Sequence, residues 1–179
     1  MIISWSAWSG AKMKYRLGAL LLAAALLLGG CNPASRARDW ATRAVDETWQ
    51  ARYRVLFHQE DKDLEMTVQE SRGETLVLDI IMPGGSLRLE YGSDSMLIKL
   101  DEGSLEWQDI PCQIPYYTLT ELARQIAASQ QLATQGDWAA SQGYRLKVKA
   151  GAPVEAACLP DWTLYVDEFI WKRNQPSNP

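Results

Sequence analysis

Cys31 stands in a sequence context in which its thiol would be acylated. It follows Leu28, Gly29 and Gly30, which is the pattern of a lipobox: an aliphatic residue, two small residues and then the cysteine. The small residues let a signal peptidase approach the backbone, and the cysteine thiol takes a diacylglycerol group. The apolar run 17–28 is shorter than the roughly 20 residues of a membrane-spanning helix. This pattern favours a lipidated cysteine over an ordinary transmembrane anchor.

The targeting segment covers residues 1–30, and Lys14 and Arg16 form its basic start. Residues 1–12 fit a signal peptide poorly, so Met13 is a second candidate for the start of translation. Residues 31–34 follow as a short lipidated tether. Two or more acyl chains give stable anchoring, whereas a single chain is marginal. We therefore expect a lipid anchor that includes palmitate, and a protein held on the extracytoplasmic side of a cell-envelope membrane.

Cys112 and Cys158 are the other two cysteines of the chain. An even pair in an exported protein favours a disulfide, and this one would close a loop of about 46 residues. Two buried free thiols are the alternative. A metal site is not expected, because His58 is the only histidine and no C-x-x-C motif occurs.

The remaining polar residues form no catalytic pattern. His58 is expected at a strand end, where a lone histidine is usually a surface residue. Asp61, Asp63 and Glu65 resemble a calcium loop, but the glycine and the final glutamate of an EF-hand are missing. The segment 82–85 lacks the Lys-Ser/Thr pair of a phosphate loop and is better explained as a hairpin turn. No G-x-S-x-G motif occurs. The sequence predicts neither an enzyme nor a cofactor.

The charge balance excludes one class of partner. The first 30 residues hold three basic side chains and no acidic one, so the rest of the chain carries 15 basic and 22 acidic residues, a formal charge near −7. A nucleic-acid-binding protein needs a basic face to meet the phosphates. Binding to anionic lipid headgroups by charge alone is unfavourable for the same reason. We therefore expect no nucleic acid partner.

Residues 53–107 predict an antiparallel β-meander. Apolar and polar residues alternate in six runs, and short clusters rich in glycine, proline and charged residues separate the runs. This is the pattern of strands joined by hairpins, with one face buried. The apolar positions that represent this face include Tyr53, Phe57, Met66, Leu78, Leu89, Tyr91, Met96 and Trp107.

Two helices are expected to cover the buried face. The first begins near an N-cap at Ser35, with Trp40 and Trp49 on its apolar side. The second helix follows the capping box that starts at Thr118, and this helix is expected to end near Gln131. Strands over 144–149 and 162–171 complete a single domain of residues 35–171, and Cys158 falls in the loop before the last strand. Residues 172–179 are expected to form a disordered tail.

This order of elements resembles the LolA/LolB-like family of half-barrel lipoprotein carriers. The resemblance covers roughly residues 35–171 and depends on Trp40 and Trp49, on the strand 53–57, on the turn and strand 82–90, and on the helix from Thr118. It implies an α+β fold: a curved antiparallel sheet, an unclosed half-barrel, with helices across its mouth and an apolar cavity. The lipobox makes anchored LolB-like, LppX-like and GerS-like members more similar than soluble LolA.

Two functions are compatible with this resemblance. In the first, the half-barrel binds a lipid or another hydrophobic ligand, such as an acyl chain, or carries lipid or lipoprotein in the envelope. The candidate cavity residues are then Tyr53, Phe57, Met66, Leu78, Leu89, Tyr91, Met96 and Trp107. In the second, a filled half-barrel serves as a non-enzymatic, GerS-like adaptor that supports a cell-wall enzyme or another envelope protein. An acidic outer face would then steer a basic partner, with Glu65, Glu70, Glu90 and Asp101 as its charges.

Overall fold

The computed structural model describes residues 32–59, 62–100, 103–108, 113–141, 143–158 and 160–172. Within these residues the fold is α+β: an antiparallel sheet of eleven strands, which does not close, and two helices. The predicted fold class is confirmed at this level. The signal peptide 1–30, Cys31, Cys112 and the tail beyond residue 172 lie outside the described residues.

The elements follow one another along the chain in a simple order. They are α1 (Pro33–Asp46), β1 (Trp49–His58), β2 (Asp63–Arg72), β3 (Leu76–Met82), β4 (Gly85–Tyr91), β5 (Ser95–Leu100), β6 (Gly103–Gln108), α2 (Leu119–Ala128), β7 (Ala133–Gln135), β8 (Trp138–Ser141), β9 (Tyr144–Lys149), β10 (Ala152–Cys158) and β11 (Trp162–Trp171). The predicted six-strand meander is therefore present as β1–β6.

The sheet consists of two meanders joined by one long-range pairing. Its strand order is β6-β5-β4-β3-β2-β1-β11-β10-β9-β8-β7, so every neighbour is consecutive in the chain except β1 and β11. Those two strands pair antiparallel from Trp49 opposite Trp171 to Phe57 opposite Trp162. Because α2 lies between β6 and β7 in the chain, the connection between the two sheet edges must cross one face of the sheet.

That face, which we call the inner face, carries the core. Strand β1 alternates buried and exposed residues from Trp49 to Val55, as expected for a strand with one covered side. The register places Tyr53 opposite Val68, and Glu70 opposite Leu78, on this inner face. The opposite side of the sheet is called the outer face below.

Helix α1 packs its small residues against α2 and against β7–β10. Ala37, Ala41 and Ala44 are fully buried, and short side chains allow this close approach. The helix begins at Pro33, with the Asn32 side chain as N-cap, because proline is well suited to the first helical turn. The predicted N-cap at Ser35 is therefore wrong.

Trp49 is also placed differently from the prediction. It is the first residue of β1 and not the last apolar residue of the helix. Its indole N–H donates to the Ala44 carbonyl at 2.9 Å, and the Arg72 guanidinium donates to the Val45 carbonyl at 2.7 Å. These two bonds satisfy carbonyls at the end of α1, which has no further turn of its own to pair them.

Helix α2 begins as predicted, with Thr118 as its N-cap. The Thr118 hydroxyl accepts the Glu121 N–H at 3.2 Å. The Glu121 carboxylate instead accepts from Arg124 and Gln125, so only half of the capping box is formed. The helix ends at Ala128, which is shorter than the predicted end near Gln131.

The second meander has more strands than the sequence indicated. Strands β7 and β8 occupy the irregular segment before Gly143, and β10 places Cys158 at the end of a strand and not in a loop. Strand β10 was not predicted because it is rich in alanine and contains Pro153. The pairing of β9 and β10 shifts register between Pro153 and Glu155, as expected where proline interrupts a ladder.

Candidate ligand site

The inner face of β3–β6 carries two rows of paired apolar residues. In one row, each residue lies opposite the next across four strands: Leu78, Leu89, Ile98 and Leu105. The neighbouring row, nearer the β3–β4 hairpin, contains Ile80, Leu87 and Leu100. With strands about 4.8 Å apart, a four-strand row spans roughly 14 Å.

Both rows change from buried to exposed toward the β6 edge. Leu78 is 0% exposed and Leu89 is 7% exposed, whereas Leu105 is 54% exposed. In the second row, Ile80 is 1% exposed and Leu100 is 52% exposed. Large apolar side chains that are exposed side by side indicate a binding surface, because the residues on the core face of a sheet are normally covered by other parts of the protein.

We call this exposed region the apolar patch. It consists of Met82, Leu87, Ile98, Leu100 and Leu105, of which Leu87 and Ile98 are half-buried. Helix α1 packs over β7–β10, and the start of α2 is hydrogen-bonded to Glu70 of β2. The patch lies on β3–β6, beyond the strands to which either helix is bonded or packed in this way.

Glu70 holds the start of α2 on the sheet. Its side chain is 0% exposed. One carboxylate oxygen accepts the Leu119 N–H at 2.9 Å and the Tyr53 hydroxyl at 2.7 Å, and the other accepts the Thr120 N–H at 2.9 Å. The first N–H groups of a helix have no partner within the helix and attract negative charge. The Glu70 carboxylate of β2 therefore provides hydrogen-bond acceptors for the first two N–H groups of α2.

The titration of this group is set by its burial. Removal from water raises the pKa of Glu70 above its ordinary value, and the hydrogen bonds from Thr120, Tyr53 and Leu119 act in the opposite direction. Burial, and next the charge of Glu70, raises the pKa of Tyr53 well above its ordinary value. The phenol thus stays protonated and donates to the carboxylate.

An aromatic cluster lies in the segment that precedes α2, next to the hydrogen bonds between Glu70 and the helix. The Tyr117 ring meets Phe57 edge-on with centroids 5.3 Å apart, and Tyr116 lies 6.3 Å from Trp162. Tyr116 remains 53% exposed. Edge-to-face pairs of this kind stabilise by about 1 kcal/mol beyond the area that they bury. The segment before α2 is therefore held on β1 and β11 by ring contacts.

The structure places seven of the eight predicted cavity residues on one face. Tyr53, Met66, Leu78, Leu89 and Tyr91 are buried in the core, and Phe57 and Met96 are half-buried against it. Trp107 lies opposite Met96 in the pairing of β5 and β6, and its side chain lies outside the described residues. The inner-face assignment from periodicity is thus correct for the strands concerned. The exposed continuation of this face through Leu100 and Leu105 was not singled out from the sequence.

Glu70 is the residue that the sequence reasoning misplaced. It is predicted from the sequence on an acidic outer face, whereas the structure buries it on the inner face. The signal was present: Met66, Val68 and Glu70 share one parity in β2, so the period of two already predicted an inward carboxylate. Glu65, by contrast, is exposed on the outer face as expected.

His58 joins three strands. Its Nδ1 lies 3.1 Å from an Asp63 carboxylate oxygen, and its Nε2 lies 3.0 Å from the Thr163 hydroxyl. A carboxylate, an imidazole and a hydroxyl in this order also form nucleophilic triads. Thr163 is only 7% exposed, however, so its hydroxyl is not presented to a substrate. The geometry favours a structural role for His58, whose hydrogen bonds link β1 to β2 and β11.

The cysteine predictions fall largely on undescribed residues. Cys158 is the one cysteine within the described ranges, and it is half-buried on β10. Burial and then the charge of Asp161 raise the pKa of its thiol. Cys31 and Cys112 lie outside the described residues, so lipidation and the disulfide stay predictions.

Two surface grooves can be compared with the apolar patch as candidate ligand sites. A wide groove of about 810 Å³ lies beside α1 and the end of α2, with Arg38, Ser129 and Gln131 among its lining residues. A depression of about 360 Å³ along β3–β5 includes Leu87 and Leu100 of the apolar patch. The wide groove is lined largely by polar side chains, so the apolar patch is the better candidate for a hydrophobic ligand.

No family model matches the chain, and no curated protein matches it either. Neither helix of the described chain is long and apolar enough to span a membrane. Among the described residues, no group of three or more His, Cys, Asp or Glu side chains could hold a metal ion.

Proposed function

We propose that this chain is a lipid-anchored bacterial lipoprotein of the LolA/LolB-like kind, and that its half-barrel binds a hydrophobic ligand, most simply an acyl chain. The observation that carries the proposal is the apolar patch. It continues without a break from the exposed Leu100 and Leu105 to the buried Leu78 and Leu89. A ligand could therefore begin binding at the surface and extend along an apolar row.

The energetics of such binding need no charged contact. Each buried methylene contributes roughly 0.8 kcal/mol, so a chain along a row of four side chains would bind through its hydrocarbon alone. Space for the inner end of the ligand arises when α2 moves away from the sheet. Water is excluded again when the helix returns.

The position of the predicted anchor supports a membrane lipid as the source of the ligand. Asn32, which follows Cys31 directly, caps α1 and accepts a hydrogen bond from Thr134 on the edge strand β7. The first contacts of the described fold therefore lie one residue after the predicted lipid site. A domain held so close to a membrane would meet acyl chains at high local concentration.

Native mass spectrometry of the full chain, purified gently from its own host, tests the proposal. A bound lipid that is retained in gentle conditions and identified after extraction supports it. A clean mass without ligand, together with no binding of a fluorescent fatty acid, contradicts it and favours the adaptor function.

Patch variants make the same test specific. The change Leu100→Ser with Leu105→Ser removes two half-exposed side chains, each worth about 1 kcal/mol if a ligand completes its burial. We expect affinity for the fatty acid probe to fall about tenfold or more. Ile170→Ser is the matched control, because Ile170 is 49% exposed on the outer face. Equal affinity in both variants would contradict a site at the patch.

A further inference from the structure

Strand β9 carries a row of basic side chains on the outer face of the sheet. Leu146 and Val148 are buried in the core and mark the inner face of this strand. The residues that alternate with them lie on the outer face: Arg145, Lys147 and Lys149. Arg145 and Lys147 are half-buried, and Lys149 is exposed. We call these three residues, together with Trp138 of β8, the basic patch.

The Trp138 ring lies beneath two of these cations. The guanidinium carbon of Arg145 lies 4.5 Å from the ring centroid, and the Lys147 ammonium nitrogen lies 5.6 Å from it. A cation is attracted to the face of an aromatic ring at such distances. The patch therefore combines an indole ring with positive charge, which is the composition of side chains that lie among the headgroups of a membrane.

The protein neutralises this charge only in part. Lys147 pairs with Asp137 at 3.6 Å, and Glu155 lies opposite Lys147 in the pairing of β9 and β10. Arg145 and Lys149 form no ion pair within the described part of the chain. The Nε of Arg145 is buried and has no hydrogen-bond partner there. An unpaired guanidinium favours an anion with several acceptor oxygens, and a phosphate group has this chemistry.

The local charge of this region is opposite in sign to that of the whole chain. Residues 133–149 contain three basic side chains and one acidic side chain, whereas the chain after its first 30 residues has 15 basic and 22 acidic ones. A protein with such a charge distribution approaches an anionic surface in one preferred orientation. The net negative charge therefore restricts contact with an anionic membrane to the basic patch.

The patch also lies close to the predicted lipid anchor. Asn32, which follows Cys31, accepts a hydrogen bond from Thr134 of the edge strand β7. Only β8 separates β7 from β9, so the row of cations lies two strand spacings, or roughly 10 Å, from this edge. A lipid at Cys31 would keep the patch at a high effective concentration next to the headgroups.

We propose that the basic patch docks on anionic phospholipid headgroups of the membrane that holds the anchor, and so orients the sheet on that membrane. This inference rests on the lipid anchor of the proposed function and is independent of the ligand at the apolar patch. Arg145 and Lys149 contact the phosphates, and the Trp138 ring lies at the depth of the headgroups.

Lysine footprinting of the full chain, purified from its own host and placed in nanodiscs, tests the docking. An amine-reactive ester labels accessible lysines, and mass spectrometry resolves each labelled residue. When phosphatidylglycerol is added to phosphatidylcholine discs, we expect labelling of Lys149 to fall about fivefold or more, and high salt to restore it. Lys62, exposed between β1 and β2, is the internal control and should be labelled equally in both discs.

A double variant makes this test specific. Arg145→Gln with Lys147→Gln should return the labelling of Lys149 in anionic discs to its level in phosphatidylcholine. Each Lys or Arg near an anionic surface strengthens attachment roughly fivefold, so the double variant should weaken docking about 25-fold.

The matched control is Arg52→Gln with Lys62→Gln, which removes the same charge from exposed residues of the first meander. This variant should leave Lys149 protected in anionic discs. Equal labelling of wild-type Lys149 in both kinds of disc refutes the docking. Equal loss of protection in the two double variants refutes the basic patch as its site.

Failure of the proposed function gives a different result. If Cys31 carries no lipid, flotation of the chain with vesicles of the same two compositions replaces the discs. Recovery with phosphatidylglycerol vesicles that is lost in high salt then supports the docking, and no recovery refutes it. A chain that docks but binds no fatty acid refutes only the ligand of the proposed function.

Discussion

Replacing Tyr53 by phenylalanine tests the buried hydrogen bond between Tyr53 and Glu70 with the smallest available change. The substitution deletes one hydroxyl, which donates to Glu70 at 2.7 Å between two side chains that are both 0% exposed. Hydrogen bonds to charged groups contribute about 1.5–3 kcal/mol, and a buried carboxylate that loses a donor keeps its desolvation penalty. We expect the free energy of unfolding at pH 7 to fall by about 2 kcal/mol.

The pH dependence follows from the raised pKa of Glu70. The native state holds this proton more tightly than the unfolded chain does. The stability contribution of Glu70 is therefore fully present below its ordinary pKa and is lost as the pH rises through the higher native pKa. In the acid part of this range the carboxyl is neutral, so the effect of Tyr53→Phe should shrink to about 1 kcal/mol. Glu70→Gln should abolish this part of the pH dependence.

Urea unfolding of wild type and variants at several pH values provides the measurement. Tyr165→Phe is the control, because Tyr165 is an exposed tyrosine on the outer face, where loss of a hydroxyl changes stability by less than about 0.5 kcal/mol. A loss below about 0.5 kcal/mol for Tyr53→Phe, or a loss independent of pH, would refute the charge-assisted bond.

Three further changes have distinct expected outcomes. Ala150 and Gly151 both have positive φ, 50° and 78°, in the β9–β10 hairpin, so Ala150→Asn should raise the free energy of unfolding by about 0.5–1 kcal/mol; an unchanged or lower melting temperature would contradict this. Reduction of the predicted Cys112–Cys158 disulfide should lower stability by about 3–4 kcal/mol, and two alkylatable thiols in the unfolded, unreduced chain would exclude the bond. Cys31→Ala should abolish incorporation of a labelled fatty acid; equal labelling of wild type and variant would exclude lipidation at this residue.

The first meander could be predicted because its information is local. Alternation along β1–β5 and the turn clusters between them determine which residues share a face, and the structure confirms this for Tyr53, Leu78 and Leu89. Periodicity does not predict which part of that face is covered by other elements of the fold. Leu89 and Leu105 lie in one row and share the same face, yet one is buried and the other is exposed, so the face of a residue does not by itself determine its burial.

The residues that were misjudged depend on contacts distant in the chain. Glu70 is buried because α2, some 50 residues later, brings two backbone N–H groups to it. Without that partner, a glutamate in a strand is normally assigned to the solvent side. Strand β10 is defined by pairing with β9 and β11, while its alanines give only a weak strand signal. The contact partner of Glu70 and the pairing of β10 are therefore not contained in the local sequence, although the inward direction of Glu70 is.

The structure also changes the argument for the adaptor function. Glu70 is not on the outer face, and Glu65 lies 3.9 Å from Arg54. Glu90 pairs with Lys99 and Arg88 at 2.9 and 2.7 Å, and these bonds lower the pKa of its carboxyl. Paired charges produce little long-range field, so these three glutamates are weak steering groups for a basic partner.

An adaptor would therefore bind its partner most favourably through the same apolar patch that is proposed to hold the ligand. The Leu100→Ser and Leu105→Ser double variant then separates the two functions. If it weakens lipid binding, the patch serves the carrier; if it weakens only the capture of an envelope protein by a chain without lipid, the patch is a protein interface. The patch is continuous with a buried row, which favours the ligand, since a protein interface gains nothing from an apolar row that continues into the core.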